Sequence, residues 1–520
     1  MSRRRWLVVL LLLPIAFLSG AAAASAFTNR TEAPGIWLVE SVIQRVRGAS
    51  LDTATANSPY EAAARGLLEQ LDDPYADLFS PDQLRSFQRE TIGNRYGGLG
   101  MSVEQEGDSI LVGRVFAGTP AATAGFQPGD RIVQVDGQPT TGQPLEAVTG
   151  RMRGPVGTPV KVGIRRFGSE IIELSAVRAQ VHVPAVPFTL VLDGGVGYLP
   201  LQRFNEDSRA EVQAAVTDLK RKGATSIILD LRGNGGGSLD QAIGIGSLFL
   251  PQGKEVVTVR YRGQPDEVSR ADGQAIALRE PMIVLADEYT ASASEIVTGA
   301  LQDHDRALVI GNTTFGKGLV QSLYQLEEGW ALKFTTGRWY TPSGRTIQKP
   351  RNRDGSLRTG VAVDTTAYHT DNGRRLAGGG GIAPDVTVRP DTMVEVEKAF
   401  SRAVASKGAA VAPMLSLLAR SLATGARSNF QVTPAWRDSL YSRLTHAGVE
   451  VTRAQFDSAR RVTDRMIETR VARLVGADTL VFRRDVPYDP ALQKAADLLK
   501  ASRTQAQLFA AAGGSEAGRR

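Results

Sequence analysis

Cysteine is absent from the 520 residues. That excludes structural disulfides, thiolate–zinc centres and cysteine nucleophiles, so the folded units must be held by their apolar cores. Histidine is scarce: His182, His304, His369 and His446 are the whole set, and none stands in a metal-ligand spacing such as H-E-x-x-H. No metal or other cofactor is expected. Aromatic residues make up only 6 % of the chain, and its basic residues are scattered rather than run together. The formal charge of +7 therefore reads as a solvated surface and not as a nucleic-acid footprint.

Long apolar runs are also missing, except at the amino end. There Arg3, Arg4 and Arg5 form a basic segment, Trp6 to Leu18 an apolar one, and Ala24-Ser-Ala26 supplies the small residues that a signal peptidase reads. The apolar part is shorter than the roughly 18 to 20 residues of a membrane span. Residues 1–26 are thus expected to be a signal peptide, with a retained N-terminal membrane anchor as the alternative. Either way the protein is expected to be exported, to the periplasm or the outer face of the cytoplasmic membrane.

What is present divides the chain. A length of 520 residues with 42 % hydrophobic content suits several folded units. Residues 35–90 carry helical patterning in Ile36, Leu38, Val39, Val42, Ile43 and Val46, then a turn-rich connector, Asp72 to Pro81. Residues 91–180 change to short β-like runs punctuated by glycine and proline. Within them, Tyr96-Gly-Gly-Leu-Gly100 and Gly129-Asp-Arg-Ile-Val-Gln-Val-Asp-Gly137 resemble a PDZ domain of the bacterial type. In that fold a glycine-rich loop presents N–H groups to a peptide's terminal carboxylate, which points to Gly97, Gly98, Leu99 and Gly100. Residues 181–390 alternate strand and helix signals, as expected of an α/β core. Residues 391–520 return to helical periodicity, and Ala510 to Arg520 is expected to be a frayed tail.

The chemistry of the α/β segment centres on two motifs. Ser292 lies in Thr290-Ala-Ser-Ala-Ser-Glu295, after the apolar run Pro281 to Asp287 and before a helix with Ile296, Val297, Ala300 and Leu301 on its inner face. At such a helix N-terminus, the free N–H of Ala293 can meet developing negative charge. The competing role is a capping box with Glu295. Lys317, in Gly316-Lys-Gly318, could act as a general base only with a depressed pKa. Gly311 to Lys317 mimics a phosphate-binding loop but is followed by Gly318 where Ser or Thr is needed. Arg232-Gly-Asn-Gly-Gly-Gly237 mimics a dinucleotide loop but has Ser238 at its last position; its glycine N–H groups suit an oxyanion hole better. Histidine offers no conventional triad, since His304 would stand roughly 18 Å from Ser292 along one helix.

Together these stretches resemble the carboxyl-terminal processing (tail-specific) protease family. The resemblance runs from Leu71-Asp-Asp-Pro-Tyr75 through the PDZ signatures, Leu229 to Gly237, Ala291 to Ile296, Thr314 to Gly318, Tyr340 to Arg345 and Gly380 to Asp385. It implies a PDZ domain beside a ClpP/crotonase-like α/β protease core. Ser292 then matches the nucleophile, Lys317 the base and Gln321, one helical turn beyond, a residue that orients the lysine. Ala293 with Gly235 or Gly236 matches the oxyanion hole. Thr290 departs from the family's usual serine. The implied partners are protein substrates with free, apolar C-termini, a homo-oligomeric second copy, and room for an adaptor protein. The alternative is a PDZ-gated or catalytically silent peptide-binding scaffold.

Overall fold

In the computed structural model, which describes residues 35–51, 58–88, 95–166, 170–352, 354–358, 366–389, 391–476 and 478–517, the signal or anchor segment 1–26 lies outside the described residues. The architecture is set by three apolar strands buried on both faces. These are β3 (Ser226–Asp230), β4 (Met282–Ala286) and β5 (Leu308–Gly311), in a six-stranded sheet with β1 (Leu190–Leu192), β2 (Val196–Pro200) and β6 (Val386–Thr387). The strands stand in the order β1 to β6, with only the β1–β2 pair antiparallel. Burial on both faces is what a parallel sheet requires, and it explains the unbroken hydrophobic runs.

Successive side chains serve opposite cores. Ile227, Leu229, Val284 and Val309 join one cluster with the helices α1 (Ser208–Arg221), α2 (Leu239–Ser247) and α3 (Ala293–Asp303). Ile228, Ile283, Leu285 and Ile310 join another with α4 (Pro490–Lys500) and α5 (Gln505–Ala517). The second face of the core sheet is therefore covered by the carboxyl end of the chain. The tail expected to fray from Ala510 continues as helix to Ala517, because Leu508 and Ala512, one turn apart, both bury against the sheet. Residues 395–485 pack separately, as helices around Phe400, Leu415, Leu440, Phe456 and Val471.

A second, antiparallel sheet flanks the core. Its longest strand, Ala331–Tyr340, pairs with Glu255–Tyr261, with Leu319–Gln325 and with the short strand Asp77–Phe79. The turn-rich segment before Asp77 is thus more than a connector. It straps the amino-terminal region onto this sheet, with Leu78 and Phe79 buried.

The β-rich unit forms its own sheet, in the order Met101–Glu106, Ser109–Val115, Arg131–Val135, Pro159–Arg165 and Ile172–Val177, around Ile110, Val112, Val135, Val148 and Val162. Its chain enters and leaves side by side, through the antiparallel pair Arg95–Gly98 and Ala179–His182. It touches the carboxyl-terminal helices through polar contacts: Arg420 donates to the carbonyls of Gly129 and Arg166, and Ser416 donates to Glu106 at 3.0 Å. No described helix is long and apolar enough to cross a membrane.

Because α4 seals one face of the core sheet, Leu492→Ala should cost about 2–4 kcal/mol in a urea unfolding curve. Leu417→Ala, at an exposed helical position, should change stability by less than about 0.5 kcal/mol. Equal effects would mean that α4 is not part of the folded core.

Candidate active site

The site forms where the carboxyl ends of β3 and β4 meet, the place at which open α/β sheets bind ligands. Beyond β3 the chain turns through Leu231 to Gly237. Beyond β4 it turns through Asp287 to Ala291 into α3, whose 11 residues are all buried. Asn234 joins the two turns. Its side-chain N–H donates to Leu201 O (2.7 Å) and its Oδ1 accepts Gly236 N–H (2.9 Å), while its carbonyl accepts Ala291 N–H (3.0 Å) and the Ser294 hydroxyl (2.9 Å). Thr290 has its hydroxyl in use: it donates to Leu231 O (2.9 Å) and accepts Asp287 N–H (2.9 Å).

Ser292 sits at the N-cap of α3 with φ 56° and ψ −116°. A residue with a side chain rarely adopts that conformation, and holding it costs on the order of 1–3 kcal/mol. Only half of the expected capping box forms. Glu295 Oε2 accepts Ser292 N–H (2.8 Å), but Glu295 N–H donates to the Ser292 carbonyl (2.8 Å), which leaves the half-buried serine hydroxyl outside the cap. Gly236 lies directly against this turn: a Cβ there would stand 2.9 Å from both Ala293 N and Ser292 Cβ. Ala293 is the first residue of the helix, so its N–H has no acceptor within the helix.

Glu295 ties this turn to the lysine loop. Its carboxylate, fully buried, accepts Ser292 N–H and Lys317 N–H (2.9 Å) on Oε2, and Gly316 N–H (2.7 Å) and the Thr314 hydroxyl on Oε1. Burial pushes the carboxyl's pKa up, and the four donated hydrogen bonds oppose it. Since both oxygens only accept, the arrangement is that of the ionised group.

Lys317 carries its amine 4.4 Å from the centre of the Tyr75 ring. Its pKa is held below the ordinary lysine value, first by burial and then by the Lys333 ammonium, against the opposing pull of the Asp73 and Glu295 carboxylates. The Lys317 carbonyl accepts the Trp339 indole N–H at 3.1 Å.

Two expectations about neighbouring residues change. Gln321 does not lie a helical turn beyond Lys317; it belongs to the strand Leu319–Gln325, and its amide donates to Thr335 Oγ1 at 3.3 Å. Thr335 donates in turn to Asp73, from Oγ1 at 3.1 Å and from N–H at 2.7 Å. Of the glycine pair, Gly236 spends its N–H on Asn234, whereas Gly235 is exposed.

The glycine-rich stretch of the β-rich unit borders a cavity of about 660 Å³ between the strand Met101–Glu106 and the helix Leu145–Met152. Gly98, Leu99 and Gly100 line it with Phe116, Leu145 and Met152. Gly97 does not: its missing side chain makes room for the Gly154 carbonyl, which a Cβ would approach to 2.1 Å. Gly100, at φ 81°, holds a left-handed turn that glycine adopts without strain.

Asp73, Tyr75, Asn234, Thr314 and Lys333 escape sequence reasoning as site residues. Glu295 was visible only as a capping partner. His304 is structural, paired with Asp371 (2.9 Å) and the Glu255 carbonyl (2.8 Å).

A strained serine at the head of a buried helix, with a PDZ-type groove in the same chain, defines a PDZ-containing serine peptidase. The sequence model of peptidase family S41 matches residues 195–355, and that of the PDZ domain matches residues 111–166. The carboxy-terminal-processing protease of Bartonella bacilliformis is 41 % identical over 314 residues, covering 59 % of this chain and 71 % of that protein. The carboxy-terminal processing protease CtpA of Bacillus subtilis is 36 % identical over 289 residues, covering 56 % and 61 %. Among solved structures, the photosystem II D1 C-terminal processing protease is 28 % identical, with 66 % and 86 % coverage and a TM-score of 0.38. The chain belongs to the carboxy-terminal processing proteases of peptidase family S41.

The backbone strain at Ser292 is separable from its chemistry. Ser292→Gly should raise unfolding stability by about 0.5–2 kcal/mol, while Ser292→Ala should leave it nearly unchanged. Thermal or urea unfolding in which glycine gives no gain would show that the turn is not strained.

Proposed function

We propose that this protein is an exported endopeptidase that captures the free C-termini of protein substrates in its PDZ groove and cleaves them with a Ser292–Lys317 pair. The observation that carries this reading is the Glu295 carboxylate, whose one oxygen accepts the backbone N–H of both residues. Ser292 attacks the peptide carbonyl, and its proton passes to the neutral Lys317 amine, which returns it to the leaving amine. Water then hydrolyses the acyl-enzyme by the same route. Ala293 N–H and Gly235 N–H are the donors assigned to the oxyanion, since Gly236 N–H is engaged by Asn234. Gln321 acts on Lys317 indirectly, through Thr335 and Asp73.

Gly98, Leu99 and Gly100 receive the substrate's terminal carboxylate, and the apolar lining of Phe116, Leu145 and Met152 favours an apolar last residue. Export rests on the amino-terminal sequence, with the enzyme working in the periplasm or on the outer face of the membrane, either released from or held by residues 1–26. A homo-oligomer is favoured by the exposed Trp37, Leu38 and Val42 on the helix Ile36–Ala49.

Cleavage of a protein with an apolar free C-terminus should be lost in Ser292→Ala and Lys317→Ala, and should weaken when the substrate's C-terminus is amidated. Full activity in Ser292→Ala would sink the mechanism. The pH dependence is equally specific. A base with a lowered pKa makes kcat/KM rise with pH through an inflection below the ordinary lysine value. Lys333→Met removes a cation that disfavours protonated Lys317, so the inflection should move to higher pH. A shift to lower pH, or none, would show that Lys333 does not face the base.

A further inference from the structure

Tyr75 stands outside both segments matched by the family models, yet it makes the closest aromatic contact to the Lys317 amine, 4.4 Å from ring centre to nitrogen. It reaches that place on the amino-terminal strap, which is fixed at several points. Asp73 accepts Tyr75 N–H at 3.0 Å and is itself held by the Thr335 N–H and hydroxyl. Two residues beyond Tyr75, Asp77 begins the short strand that pairs with Ala331 to Lys333. The strap is therefore built into the same sheet that carries Lys333 and Gln321.

The Tyr75 hydroxyl is buried and has no hydrogen-bond partner among the described residues. The contact that Tyr75 makes with the site among the described residues is through its ring. Lys317 is faced by Lys333 from the long strand, by Asp73 and Tyr75 from the strap, and by Glu295 from α3; Tyr75 is faced in addition by Arg351. Among these, the ring is the one uncharged cover over the amine.

We propose that Tyr75 is a positioning residue for the Lys317 base: its ring covers the amine and keeps water from it, so the amino-terminal strap, and not the protease core alone, completes the catalytic pair. This rests on the reading of Lys317 as general base. The ring acts in two senses. Its face attracts an ammonium, whereas its bulk displaces water that would solvate one. Burial is the largest influence on Lys317, so the second sense wins and removing the ring should make the amine easier to protonate.

The test is the rate at which a fluorophosphonate labels Ser292 in the full-length protein, measured across pH. In that reaction an Oγ–P bond forms, the P–F bond breaks, the serine proton passes to Lys317 and fluoride leaves. Tyr75→Phe keeps the ring and should retain the wild-type profile. Tyr75→Ala should shift the midpoint to higher pH by about one unit, a roughly tenfold slower labelling below it, with the rate recovering at high pH. An unchanged profile in Tyr75→Ala would overturn the proposal. So would an equal loss at every pH, which would mean a collapsed site. Wild-type labelling with wild-type pH dependence in Lys317→Ala would instead remove the base itself, and with it the ground on which the inference stands.

Discussion

One buried carboxylate organises the candidate active site. Among the described residues Glu295 forms no salt bridge; it is held by four hydrogen bonds, three from backbone N–H groups and one from the Thr314 hydroxyl. Leaving such buried donors unpaired would cost about 1–3 kcal/mol each, so the loops that supply them are bound to the carboxylate and through it to one another. The serine turn and the lysine loop belong to different crossovers of the sheet. Glu295, one turn into α3, makes their relative position a property of a rigid helix rather than of two flexible connections.

Around that anchor the electrostatics are arranged by elements distant in the chain. Asp73 and Thr335 are 262 residues apart, and their hydrogen bonds fix both the strap and the end of the path from Gln321. Lys333 lowers the proton affinity of Lys317 while Asp73 raises it, so the long strand and the strap exert opposing influences on the same amine. Burial of the lysine is the larger effect.

The glycine-lined groove and the Ser292 turn lie in separately cored units. Two short strands, Arg95–Gly98 and Ala179–His182, carry the chain between them. The hydrogen bonds and ion pairs from the PDZ unit to the carboxyl-terminal helices include Arg420 on two backbone carbonyls, Ser416 on Glu106, and Arg473 near Glu104.

The sequence by itself determined the local elements and the chemical inventory. The continuous apolar run in Ser226 to Asp230, the apolar face of α1 and the glycine of each turn follow from hydrophobic patterning and from backbone conformations that few residues adopt. The family, the PDZ signatures and the serine and lysine motifs were legible because each is a short run of residues. Tertiary structure alone decided what those motifs meet. Gln321 reads as a helical neighbour of Lys317 until the strand pairing with Ala331–Tyr340 takes it, since four residues look alike in either periodicity. Gly97 and Gly236 look like free donors until Gly154 and Asn234 claim the space and the N–H. Tyr75 and Asp73 belong to the Leu71–Tyr75 motif, but nothing in that run says that they stand beside Lys317. Their place beside the Lys317 amine, more than two hundred residues away, exists only because a strap from the amino end pairs with the long strand.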